Sequence, residues 1–379
     1  MRLKVAVLAG DGIGPEVTAQ AVEAMKAAAA AVGITVVFEH MPVGGEAIEQ
    51  AGEPLPGRVL DGCRKSDAVL LGAVGGPRWN GLPQARRPEA GLLALRQEMG
   101  LWANLRPVDM YPSLAAASPL RPESLAQGVN ILVVRELSGG LYYGKPSECR
   151  EDGSGRIAVD TMWYTSRQIE RVVRLAFSLA RQRRKRVLSV DKANVLACSR
   201  LWRQIVEDVS SGFPDVETEH MYVDAAAAEV VMRPQRFDVV VTENMFGDIL
   251  SDLGGALVGS LGLLPSASLG DDGRGLFEPV HGSAPSLAGQ DRANPLGAIL
   301  SAALLFRYSA PGERGARAAG LIESAVAQVL DLGYRTADLG ATGARVTGTR
   351  AMGDLIVEAV HRLAATACEG ETKPGGDKS

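Results

Sequence analysis

Phe237-Asp-Val-Val-Val-Thr-Glu-Asn-Met-Phe-Gly-Asp-Ile-Leu-Ser-Asp-Leu-Gly-Gly255 changes its hydrophobic period midway. Up to Val241 it is a short apolar run with the pattern of a buried strand; beyond it, apolar residues recur at helical spacing. Asp248 and Asp252 are four residues apart, so they share one helix face with side-chain roots roughly 5–6 Å apart. Two carboxylates that close repel each other unless a cation lies between them. Hard oxygen donors with no histidine or thiolate nearby suit Mg²⁺ or Mn²⁺ rather than zinc. The pair alone fits equally well on the solvated face of an ordinary amphipathic helix. Its surroundings decide.

Working outward, the same alternation of strand and helix recurs almost throughout, which predicts an α/β fold. Strand-like runs cover 5–9, 35–38, 68–72, 129–134 and 187–190, and helical patterns cover 15–31, 56–65, 165–184, 295–308 and 315–332. No internal repeat or low-complexity linker interrupts them, and composition alone places no domain boundary. The first turn, Gly10-Asp-Gly-Ile-Gly-Pro15, has proline where the Rossmann fingerprint needs its third glycine. It is a strand-to-helix corner, with the proline suited to a first helical position, and its tight backbone could still approach a nucleotide.

A chain of 379 residues has room for two domains, and 46% hydrophobic with 22% charged residues is the balance of a soluble globular protein. A net charge of −4 gives no bulk electrostatic case for nucleic acid. The basic cluster Arg181-Gln-Arg-Arg-Lys-Arg186 suits a solvated helix C-terminus. Cys63, Cys149, Cys198 and Cys368 have no framework spacing, so reduced thiols in a cytoplasmic protein are expected. The apolar run near the N-terminus is too short for a signal peptide, and no stretch approaches a membrane span. The polar, glycine-rich end from Glu369 to Ser379 is expected to be a disordered tail.

Other residues are placed for chemistry. Arg96, Arg106 and Arg135 stand beside apolar or small residues rather than in charge runs, as forks aimed at carboxylates would; three separate surface ion pairs is the alternative. Tyr142, flanked by glycines, is open to close approach by a substrate and equally reads as a half-buried strand aromatic. Lys192 directly follows a strand, where α/β sheets present ligands; a lysine beside another cation or in a dry cleft can serve as a base. Asp224 ends a short apolar run and is a candidate third metal carboxylate. The loop from Glu278 through His281 to Asn294 is rich in turn formers and backbone donors and could wrap a nucleotide.

In this order, six motifs resemble one family: Gly10-Asp-Gly-Ile-Gly-Pro-Glu16, Leu71-Gly-Ala-Val-Gly-Gly-Pro-Arg-Trp79, Arg135-Glu-Leu-Ser-Gly-Gly140, Asp191-Lys-Ala-Asn194, Asn244-Met-Phe-Gly-Asp-Ile-Leu-Ser-Asp252 and His281-Gly-Ser-Ala-Pro285. The chain is similar to the isocitrate/isopropylmalate dehydrogenase family, and within it to the members acting on 3-isopropylmalate. The resemblance implies an α/β fold of two domains sharing one mixed sheet, not a Rossmann fold. The first, cofactor-binding domain would comprise 1–105 and 262–370; the second, holding the metal site and the dimer contacts, 106–261; the tail would be 371–379. It implies a homodimer with an intersubunit arm after Tyr142, in which Lys192 and Asp224 complete the other chain's site.

The implied reaction is NAD-dependent oxidative decarboxylation of 3-isopropylmalate to 4-methyl-2-oxopentanoate in leucine biosynthesis. Mg²⁺ or Mn²⁺ would be held by Asp248, Asp252 and Asp224, the last also touching substrate. Arg96, Arg106 and Arg135 would bind carboxylates, Lys192 would take the hydroxyl proton and Tyr142 would protonate the enolate. Leu92, with Leu93, offers an apolar wall to the isopropyl group, whereas Leu95 packs the helix; a second carboxylate against leucine would be left unpaired. Cofactor residues by resemblance are Ile13, Gly75, Glu278, His281, Gly282, Ser283, Ala284, Ser286, Asn294 and Asp338. NAD-using members carry an aspartate after Ala284-Pro285, and NADP-using isocitrate dehydrogenases carry Lys-Tyr. This chain has Ser286-Leu287, so NAD with looser exclusion of NADP is expected. The alternatives are a relative acting on tartrate, malate or homoisocitrate, or a binding-only regulatory subunit.

Overall fold

The computed structural model describes residues 1–340 and 343–371, the side chains of 367–371 excepted. In chain order the strands are β1 (Arg2–Gly10), β2 (Thr35–His40), β3 (Ala68–Ala73), β4 (Ala103–Asp109), β5 (Asn130–Glu136) and β6 (Ser147–Asp152). They continue with β7 (Gly155–Asp160), β8 (Arg186–Asp191), β9 (Glu217–Tyr222), β10 (Val239–Thr242), β11 (Pro265–Leu269) and β12 (Gly275–Pro279). The helices are α1 (Gly14–Val32), α2 (Gly45–Ala51), α3 (Gly57–Arg64), α4 (Pro88–Glu98), α5 (Pro122–Leu125) and α6 (Ser166–Ala180). Then follow α7 (Ala197–Ser210), α8 (Val223–Met232), α9 (Asn244–Val258), α10 (Leu296–Ser309), α11 (Glu313–Asp331) and α12 (Thr349–Glu371). Of the disordered tail expected from Glu369 onward, α12 takes in Glu369 to Glu371, and 372–379 lie outside the described residues.

Two compact units form, one from 1–95, 260–267 and residues from 272 on, the other from 96–259 and 268–271. In the first, strands run β2-β1-β3-β12, all parallel. α1 and α10 cover this sheet, with α11 and α12 packed on them. α1 opens with Pro15 in its first turn and stops at Gly33, whose left-handed backbone (φ 69°) returns its N–H to Ala29 and Ala30. α10 is buried from Leu296 to Phe306, as the core helix of its layer.

In the second unit the order is β4-β5-β10-β8-β9, with β4 antiparallel to β5 and the other neighbours parallel, a mixed sheet. All four residues of β10 and all but the first of β5 are buried. Such near-continuous apolar runs are what strands covered on both faces require. α6 and α7 pack together, and α9 lies on β4 and β5. A capping box of Thr165 and Gln168 starts α6. The helix expected to reach 184 stops at Ala180, since the chain turns through Lys185 at φ 60° to enter β8. β6 and β7 form a separate antiparallel hairpin. The topology leaves Arg135, Lys192 and the start of α9 just at the C-terminal ends of β5, β8 and β10, where parallel sheets present functional groups.

Candidate active site

α9 begins where β10 ends, and its buried N-cap is Glu243, whose carboxylate accepts from the backbone N–H of Met245 and Phe246. Two turns of helix then carry Asp248 and Asp252 on one face. The group between these carboxylates is a guanidinium. Arg106 donates from Nη1 to Asp252 Oδ1 at 3.0 Å, and its Nη2 lies 3.2 Å from Asp248 Oδ1. Arg106 is itself aimed by Asn104 Oδ1 (2.8 Å) and Ser251 Oγ (2.8 Å). On the other side, Arg135 Nη1 donates to Asp248 Oδ1 at 2.5 Å and the Tyr142 hydroxyl donates to Asp248 Oδ2 at 2.8 Å.

Arg96, Arg106 and Arg135 are all buried. With two aspartates against three guanidinium groups, the cluster has one more positive charge than negative and suits an anionic ligand. Their fields separate the two acids. For Asp248, burial alone would raise the pKa, but Arg135, Arg106 and the Tyr142 hydroxyl outweigh it and hold the carboxyl below its ordinary value. For Asp252, burial and repulsion by Asp248 prevail over Arg106, and the pKa is raised. Burial, then the Asp248 charge, push the Tyr142 phenol up to about 12. Burial and its arginine neighbours draw Arg135 down to about 10.

Lys192 and Asp224 meet each other instead of this cluster. Lys192 Nζ is 2.5 Å from Asp224 Oδ1, and that ammonium lowers the Asp224 pKa. Asp224, expected at the end of an apolar run, lies in the first turn of α8. Among the described residues, no three acidic, histidine or cysteine side chains converge as a metal site within the chain. The donors at hand are the oxygen pair of Asp248 and Asp252, a hard set that fits Mg²⁺ or Mn²⁺ once a third carboxylate is supplied.

The cofactor candidates lie in the first unit. A cavity of about 340 Å³ is lined by Ile13, His281, Ala284, Asn294 and Asp338, together with Leu287 and Arg292. That volume is at the lower end for small-ligand sites. Gly75, Glu278, Gly282, Ser283 and Ser286 are not on its wall. Asn294 Nδ2 donates to Asp338 Oδ2 at 3.0 Å, and Ser260 Oγ donates to the same oxygen. His281 Nδ1 is 2.9 Å from the Gly282 carbonyl, which places the proton on Nδ1 and leaves Nε2 an acceptor. That Nε2 is sealed from solvent with no partner in the protein, as an atom awaiting a ligand donor would be. Burial lowers the His281 pKa, so the ring stays neutral.

The glycine-rich first turn brings in another loop of the protein where a nucleotide approach had been allowed for. Gly12 has φ 60°, and a Cβ there would stand 1.9 Å from the Ser283 carbonyl oxygen, which accepts the Ile13 N–H at 2.8 Å. Asp11 fastens the same turn to two further loops, accepting from the N–H of Gly45 (2.9 Å), Glu46 (3.0 Å) and Gly75 (2.8 Å). So Ile13 reaches the cavity wall because its turn is bound to the loop that follows His281.

Sequence reasoning had missed Asn104 and Ser251, which aim Arg106, and Arg292 on the cavity wall. Asn104 stands two residues before Arg106 on β4, and alternation along a strand would have put both on one face. Ser251 is part of the quoted α9 motif. Nothing local distinguishes Arg292 from a surface arginine.

A family model described as isocitrate/isopropylmalate dehydrogenase matches residues 4–356. The 3-isopropylmalate dehydrogenase of Geobacillus kaustophilus is 55% identical, covering 96% of this chain and 97% of its own. That of Gloeobacter violaceus is 54% identical, covering 95% and 99% respectively. A crystal structure of isocitrate dehydrogenase from Methylococcus capsulatus superposes with a TM-score of 0.83 at 36% identity, covering 95% of this chain and 99% of that one.

Proposed function

The chain belongs to the isocitrate/isopropylmalate dehydrogenase family, and from that membership and the site geometry we infer that it catalyses NAD-dependent oxidative decarboxylation of 3-isopropylmalate, a step of leucine synthesis. The observation that carries the chemistry is Asp248, one carboxylate in contact with Arg106, Arg135 and the Tyr142 hydroxyl and one turn from Asp252. A hydroxy diacid needs this set: carboxylates to hold a cation, guanidinium groups to bind carboxylates, and a hydroxyl to deliver a proton.

Asp248 and Asp252, with Asp224 of the partner subunit, would hold Mg²⁺ or Mn²⁺, which would supply Lewis acidity at the substrate's hydroxyl oxygen, and NAD would supply the hydride acceptor. Arg96, Arg106 and Arg135 bind and orient the substrate carboxylates. Leu92, one helical turn before Arg96 on α4, faces the isopropyl group. Lys192 of the partner subunit, as the neutral amine, takes the hydroxyl proton on Nζ as the carbonyl forms. After loss of carbon dioxide, the Tyr142 hydroxyl returns a proton to carbon 3. Its elevated pKa keeps that proton in place at neutral pH. The arginines lie buried beneath α9, which strengthens their hold on a carboxylate.

NAD would occupy the cavity of the first unit, with His281 Nε2, Asn294 and Asp338 as its polar contacts and the 281–286 loop beside it. A homodimer is the working form. Val231, Met232 and Ile249 expose apolar side chains on α8 and α9, and the β6–β7 hairpin stands apart from the main sheet. A two-stranded hairpin alone is marginal in water and gains stability by pairing. In such a dimer the Lys192–Asp224 pair of one chain completes the other's site. No helix among the described residues is long and apolar enough to cross a membrane, and a cytoplasmic location follows from the biosynthetic role.

The test is substrate-dependent NADH formation, with Mg²⁺ or Mn²⁺, across a panel of 2-hydroxy diacids: 3-isopropylmalate, isocitrate, homoisocitrate, malate and tartrate. The highest kcat/KM is expected with 3-isopropylmalate. A higher value with another diacid would reassign the substrate, and no turnover with any would leave a binding-only subunit.

A further inference from the structure

The chemistry proposed above needs the Arg135 guanidinium and the Tyr142 hydroxyl held in fixed places, although neither lies on α9. We infer that Asn244 is the positioning residue that sets both, its single amide clamping the base of Arg135 on one side and the turn that leads to Tyr142 on the other.

Asn244 is the first residue of α9 and is fully buried. Its Oδ1 accepts from Arg135 Nε at 2.9 Å. Its Nδ2 donates to the carbonyls of Gly139 (2.8 Å) and Leu137 (3.4 Å). The partners fix which way the amide faces, since a guanidinium can only donate and a carbonyl can only accept. The position therefore calls for an acceptor and a donor on one short side chain. Aspartate supplies only the acceptor, and alanine neither.

Each arm reaches the reacting groups. Arg135 is bound through Nε to Asn244 and through Nη1 to Asp248, so its guanidinium edge spans one turn of α9. Gly247 makes room for this, because a Cβ there would come 2.7 Å from Arg135 Cγ. On the other arm, Gly139 opens the turn closed by the Gly144 N–H on the Gly140 carbonyl at 2.9 Å, and Tyr142 lies within it. Asn244 is itself anchored. Its N–H donates to the Tyr164 hydroxyl at 3.0 Å, and that hydroxyl donates to Glu243 Oε2 at 3.1 Å.

This proposal rests on the roles read above for Arg135 and Tyr142, and its test separates the two. Asn244→Asp keeps the bond to Arg135 but turns a carboxylate oxygen towards two carbonyls. Its kcat should fall about 10- to 100-fold with KM for 3-isopropylmalate within about twofold of wild type. Asn244→Ala loses both arms, so kcat should fall similarly and KM rise about 10-fold. Aspartate would thus rescue KM but not kcat, a split that a merely structural asparagine would not produce. Should the alanine chain fail to fold, Asn244→Asp decides alone, and a wild-type kcat in it overturns the clamp. Arg135→Lys and Tyr142→Phe are measured in parallel. If they impair the enzyme while the Asn244 variants match wild type in kcat and KM, the clamp is wrong and the site reading stands. If neither impairs it, the site reading falls and the clamp with it.

Discussion

Removing one charge at Asp248 would leave Arg106 and Arg135 without their shared counter-ion while barely changing shape. For Asp248→Asn we expect turnover to fall more than about 100-fold and Mn²⁺ to bind more weakly, read from kcat and from a metal titration. Wild-type values in both would remove the proposed metal site. At Tyr142 the sign of the pH effect follows from the elevated pKa. A tyrosine in an unfolded chain loses its proton near about 10, whereas here the phenol holds it to about 12. Its contribution to stability is full below pH 10 and is lost as the pH rises through that window. Wild type should therefore lose more of its urea midpoint than Tyr142→Phe between about pH 10 and 12; parallel curves would contradict this. On the cavity wall, Arg292 stands where Ser286 does not. Two unit charges about 4 Å apart interact by roughly 4 kcal/mol at an effective dielectric of 20, and solvent and salt cut that sharply at an exposed arginine. Arg292→Ala should lower the NADP-to-NAD ratio of kcat/KM by about three- to tenfold, and Ser286→Asp should change it less. A larger effect at Ser286 would return cofactor choice to the loop.

Among the elements, α9 carries the aspartates, and its start is held by a side chain rather than by the sheet alone. Glu243 caps the helix and also receives the Tyr164 hydroxyl. Loss of a capping side chain typically costs about 1 kcal/mol and at most about 2. Glu243→Ala should thus lower Tm by about 1–3 °C yet leave a folded protein, and calorimetry with circular dichroism checks both. An unchanged Tm would mean that backbone contacts alone fix the helix start. The cost is kept moderate because burial already raises the Glu243 pKa against the two N–H bonds and the Tyr164 bond that favour the ionised form.

At the scale of the molecule, the Lys192–Asp224 pair sets the prediction. If each site takes Asp248 from one chain and Lys192 from the other, inactive Lys192→Ala and inactive Asp248→Asn chains complement each other. Their mixed dimer contains one site with both lesions and one with neither. A statistical mixture should regain roughly a quarter of wild-type activity after dissociation and reassembly. Verified mixed dimers with no activity would show that each chain works alone.

Much of this was already legible along the chain. The alternation of periods marks strands and helices because it reflects local geometry, and every strand and helix named from it lies within about five residues of an observed end. The spacing of Asp248 and Asp252 places both on one face whatever surrounds the helix. What periodicity cannot carry is which distant side chains meet. Arg106 and Arg135 converge on α9 because β4 runs antiparallel beside β5, in a register that pairs Arg106 with Val133 and Asn104 with Arg135. Asn244 becomes a clamp only when β10 takes its place next to β5 and delivers the start of α9 beside the Gly139 turn. Arg292 rather than Ser286 borders the cavity because the loop's fold, not its composition, decides which residues line it. Residue order decides local period and charge; strand order and register, set by burying the apolar faces together, decide which of those charges share a site.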